Sequence, residues 1–192
     1  MSLVELIARA DERGLAASGL ACLDRCVPLL GGDDEVLRPL WMSLTDASAD
    51  ASGEDWSMSL EQARDQLAGT PEGEDDAEDE AVLLARSMLA HAPADRTAAA
   101  DVRTWSDACS VASLEIHRLL DAGDDEDLAE ARREGRTEGM SPLVAAELRR
   151  QITVLELLAG HGGAGLRPAL EVCTEGRRVL RAVVSRRARV RG

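Results

Sequence analysis

Val102, Trp105, Cys109, Ala112, Ile116 and Leu119 follow one another at intervals of 3, 4, 3, 4 and 3 residues. That spacing puts apolar side chains on one stripe of an α-helix and scatters them over both faces of a strand. A helix with such a stripe must pack it against neighbours or leave it in water. The pattern predicts a long helix over about residues 95–121 and makes it the expected centre of the core. Aliphatic usage extends the argument to the whole chain, with 27 Leu against 13 Val and 3 Ile. Side chains unbranched at Cβ keep more rotamer freedom in a helix, whereas β-branched ones favour strands. No segment alternates with period two between hairpin turns, and Asn-Gly and Asp-Gly pairs are absent. The expected class is all-α, a compact bundle of about seven helices.

Local signals place the other elements. Ser2 and Glu5 form a capping box for a first helix, which Gly14 should end. An apolar segment over 15–30 runs to Pro28 and stops at Gly31-Gly32. Asp33 can cap a helix carrying Val36, Leu37, Leu40, Trp41 and Leu44. Residues 46–55 read as a loop, and Ser59 with Gln62 reads as a second capping box. Residues 72–80 hold seven acids in nine positions and are expected to form a linker, because like charges repel and nothing there can be buried. This divides the chain into a helical lobe over 1–70, a linker over 71–80 and a second lobe over 81–192, or leaves it as one domain. Ser141-Pro142 is a cap and first-turn pair for a helix bearing Val144, Leu148, Ile152, Leu155 and Leu158. The glycines at 160, 162, 163 and 165 make a turn before a last, Arg-rich helix.

Charge is segregated on this framework. The net charge is −14, yet residues 1–130 carry 9 Arg against 30 acids and residues 131–192 carry 13 Arg against 6. Lys, Asn, Phe and Tyr are all absent. These types share codons with A or T in the leading positions, so base composition accounts for part of the Arg usage. Residues 176–192 hold Arg177, Arg178, Arg181, Arg186, Arg187, Arg189 and Arg191 with no acid. Val179, Leu180, Val183 and Val184 make that stretch amphipathic. Such a helix can pack on the chain's own acidic body or meet an anionic partner. Without interleaved aromatics it has no platform for stacking bases.

Motif chemistry is sparse. Cys22 and Cys26 share a helix face but have no second pair, so zinc ligation is not expected, and buried thiols are. Gly160, Gly162 and Gly165 satisfy G-x-G-x-x-G but follow a Leu-rich helix rather than a strand. Residues 121–132 fail a calcium loop at three offsets, with Gly123, Glu126 and Arg132 in the wrong places. No G-x-S-x-G elbow occurs. No catalytic residue, metal or cofactor is assigned.

The leading expectation is therefore a non-enzymatic regulatory or interaction protein that binds a partner protein, or a second copy of itself, through the arginine tail. Two alternatives stand beside it. One is a small helical enzyme or ligand-binding protein with an inter-helix pocket at Trp105, Cys109 and His117. The other is a nucleic-acid-associated factor using the same tail. No run of apolar residues is long enough to span a bilayer and the first ten residues lack signal-peptide character, so a cytoplasmic protein is expected.

Overall fold

The computed structural model describes residues 2–45, 54–68, 76–121 and 128–191, with the side chains of 76–79, 190 and 191 excepted. They form α1 (Leu3–Arg9), α2 (Glu12–Cys26), α3 (Arg38–Thr45), α4 (Glu54–Leu67), α5 (Asp76–Ala90), α6 (Ala99–Leu120), α7 (Leu128–Glu134), α8 (Pro142–His161) and α9 (Leu166–Arg191). Single 3₁₀ turns follow α2 (Val27–Leu30) and α8 (Gly162–Gly165). The fold is all-α, and no strand occurs among the described residues.

The centre is α2, not α6. Every α2 residue from Gly14 to Cys26 is buried, as expected of a helix surrounded on all sides. Its small side chains let neighbours approach closely. A Cβ at Gly19 would fall 2.7 Å from the Trp105 ring, so only glycine lets α6 lie this near. Around α2 stand α6, α8 and α9, while α5 lies on α6 and α1 on α7 and α8. A continuous apolar core draws on residues from Leu3 to Leu180, on both sides of the acidic run.

Several boundaries differ from expectation for local reasons. Gly14 does not end α1: Asp11 caps α2 instead, its carboxylate accepting the Gly14 amide at 2.7 Å. Ser59 lies inside α4, because Trp56 and Leu60 both face the core and the helix reaches back to Glu54. Asp33 closes a turn by accepting the Glu35 amide, and Val36 and Leu37 are buried before α3 begins. Asp76 to Glu80, expected in the linker, form the start of α5. Acids suit that place, since a helix N-terminus carries partial positive charge. The rest of the expected linker, and most of the expected 46–55 loop, lie outside the described residues. The Ser2–Glu5 capping box forms as read, and α8 starts at Ser141–Pro142 as expected, although the Ser141 side chain makes no capping hydrogen bond.

On α6, Val102, Trp105, Cys109 and Ile116 are buried as expected, while Ala112 and Leu119 are only half-buried. The helix is turned so that a second stripe, Ser106, Ser110, Ser113 and His117, is buried too. On α8, likewise, Ile152 is half-buried and Glu147 and Gln151 are inside. The three tryptophans each satisfy their indole N–H, donating to Asp24 from Trp41 (2.7 Å), to the Pro93 carbonyl from Trp56 (2.8 Å) and to the Met88 carbonyl from Trp105 (2.8 Å). Trp56 and Trp105 also meet edge to face at 6.2 Å.

Candidate functional site

Helix α9 sorts its arginines by face. Leu180 is buried, and Val179, Val183, Val184 and Ala188 are half-buried against the body. Arg177 lies on the inner side, only 6% exposed, and pairs with Asp24 and with Asp34 (3.5 Å). Arg181 reaches the same Asp34 carboxylate at 2.7 Å. These two guanidiniums, with the charge of nearby Arg178, hold the Asp34 carboxyl below its usual range, Arg181 most of all through its hydrogen bond. Arg187 donates to the Leu120 carbonyl at 3.3 Å, at the negative end of α6. Three of the seven expected partner-binding arginines are thus engaged within the chain.

Arg178, Arg186 and Arg189 are exposed and make no hydrogen bond or ion pair among the described residues. The helix repeat places Arg178 and Arg189 nearly in line, with Arg186 to one side. Ser185 and Ala182 lie between them and are also exposed. The side chain of Arg191 lies outside the described residues. The result is an outer stripe of arginines that no hydrogen bond or ion pair holds among the described residues, backed by Arg177 and Arg181, which are clamped to Asp24 and Asp34.

The expected pocket at Trp105, Cys109 and His117 is packed core. Their exposures are 4%, 0% and 0%. Trp105 is held between Gly19, Trp56 and the Met88 carbonyl, and the surface grooves are lined by other residues. All four cysteines are buried free thiols. Burial pushes Cys22 up to about 12 and raises Cys26, Cys109 and Cys173 as well, so none supplies a thiolate at neutral pH.

His117 belongs to a buried polar network that the sequence reading missed. The Arg25 guanidinium of α2 and the Glu147 carboxylate of α8, both fully buried, meet through two hydrogen bonds of 2.8 and 2.6 Å. Ser113 and Gln151 donate to the same carboxylate at 2.8 and 3.0 Å. Burial alone would raise Glu147; the Arg25 charge, helped by the hydrogen bonds from Arg25 and Gln151, outweighs it and holds the acid at about 2. His117 Nδ1 donates to the Ser113 carbonyl at 2.6 Å, and its Nε2 stands 3.7 Å from Glu147 without a hydrogen bond. Burial pushes the imidazole below its ordinary value despite the pull of Glu147, which keeps it neutral.

From Gln151 the network runs through Ser110 to Arg132 of α7, which pairs with Asp107 at the surface. The Arg25 stem passes over Gly176 of α9, where a Cβ would lie 2.3 Å from the arginine Cδ. This arrangement ties α2, α6, α7, α8 and α9 together and presents no reactive group to solvent.

Among the described residues, no three His, Cys, Asp or Glu side chains are placed to hold a metal ion. No described helix is long and apolar enough to cross a membrane. No family, curated protein or solved structure matches the chain.

Proposed function

We propose that the chain works by binding an acidic partner protein, with the outer arginines of α9 as the contact. The observation that carries this reading is the division of labour on that helix. Arg177, Arg181 and Arg187 are spent on internal contacts, while Arg178, Arg186 and Arg189 stand exposed with no hydrogen bond or ion pair among the described residues. On a chain of net charge −14 such a stripe favours a partner that presents its anionic surface to α9.

The test replaces Arg178, Arg186 and Arg189 together by Gln and titrates a polyglutamate peptide, a DNA duplex and phosphatidylserine vesicles. Exposed ion pairs contribute ~0–1 kcal/mol each, so the triple variant should lose roughly tenfold in polyglutamate affinity at low salt. The difference should shrink as salt rises. Equal polyglutamate binding by both proteins would refute the reading. Tighter binding of the duplex than of polyglutamate, lost in the variant, would move the function to nucleic acid.

A further inference from the structure

A groove of about 640 Å³ opens between α1, α6 and α7, on Val4, Val111, Leu114 and Leu128. Its size falls within the roughly 300–1,000 Å³ of small-molecule sites. Leu114 is buried at the floor, whereas Val4 and Val111 are 47% and 49% exposed, two of the few large apolar side chains left in water. The wall is rigid on the α7 side. Arg132, only 8% exposed, is held by Ser110 at 2.9 Å and by Asp107, and so is anchored to the buried network.

The charges around the groove select its occupant. Asp107 is neutralised by Arg132, and Glu115 by Arg118 of the same helix at 2.9 Å. Arg133 is exposed and makes no hydrogen bond or ion pair among the described residues. One guanidinium is therefore left over beside an apolar floor. A guanidinium in that position matches a carboxylate through paired N–H donors, and the floor matches an aliphatic chain.

We propose that this groove binds a small amphipathic carboxylate, its chain on Val4, Val111, Leu114 and Leu128 and its head group on Arg133. The site is separate from the α9 stripe and does not depend on it. The probes are decanoate, decanol and decylamine, each below its micelle concentration, titrated calorimetrically into the full chain. Decanoate should bind about tenfold more tightly than decanol, with decylamine weakest. Arg133→Gln should abolish the preference for decanoate and leave decanol affinity unchanged. Val111→Asp should abolish binding of both, while circular dichroism remains that of the parent, because the residue is half exposed.

Four results would overturn the proposal: no saturable binding, equal affinity for decanoate and decanol, a preference that survives Arg133→Gln, or binding that survives Val111→Asp. A dimer that Val111→Asp dissociates, with no decanoate binding, would assign the groove to a second copy and equally overturn it. In each case the α9 reading would stand, since Arg178, Arg186 and Arg189 are untouched.

Discussion

Arg25 and Glu147 have no exposed surface, and each is acceptable in the core only because of the other. The pair holds its own because the geometry is bidentate and the remaining lone pairs of Glu147 are taken by Ser113 and Gln151. Removing one partner is a different matter from removing both. Glu147→Ala strands a guanidinium in the core and should destabilise the fold by about 3–5 kcal/mol in urea unfolding. Combining it with Arg25→Leu should restore part of that loss. The restoration stays partial because Ser113 and Gln151 still lack their acceptor. A double variant no more stable than Glu147→Ala would show that the stranded charge is not the cause. Sequence reading could not find this pair, since Arg25 and Glu147 are 122 positions apart and a single Asp-Arg step interrupts an otherwise apolar segment.

At the level of elements, the strength of a periodic signal tracks how one-sided a helix is. α6 has a clear apolar stripe because part of it faces solvent; α2 has none because it is enclosed, and the small residues around Gly19 read as featureless. The seam therefore pointed to α6 as the centre when it is the principal neighbour of the centre. The second buried stripe of α6 was hidden for a related reason. Ser106, Ser110, Ser113 and His117 repeat at helical spacing, but polar side chains in that pattern read as a wet face until Glu147 and Gln151 of α8 are set opposite them. Helix class, capping at Ser2 and the start of α8 were legible because they depend on neighbours in sequence. Ile116 and Leu119 test the rotation of α6. Ile116→Ala should cost about 2–5 kcal/mol, the range for truncating an enclosed aliphatic chain. Leu119→Ala, at a half-buried position, should cost clearly less in the same urea titrations. Equal losses would return Leu119 to the core.

Across the whole molecule, the sequence showed that a basic helix ends an acidic chain, but not which arginines the acidic body would claim. Asp24 and Asp34 lie about 150 positions from the arginines they hold, at separations of 153 and 147 for Arg177 and Arg181. The acidic body's clamp on the outer part of the tail is at Asp34. That clamp competes with any external anion for Arg181, whose side chain is 46% exposed. Asp34→Asn removes the competing charge while keeping the side chain's size. Arg177 retains Asp24, so the fold should lose no more than the ~0–1 kcal/mol of an exposed ion pair. Arg181 is then free to join the stripe of Arg178, Arg186 and Arg189. Polyglutamate affinity should rise by roughly two- to fivefold at low salt, the share expected of one more exposed guanidinium. The gain should vanish when salt shortens the Debye length to about 3 Å near 1 M. Adding Arg181→Gln to Asp34→Asn should erase the gain at any salt. An affinity unchanged by Asp34→Asn would mean that the clamp and the partner surface do not share Arg181, confining the contact to the outer three arginines.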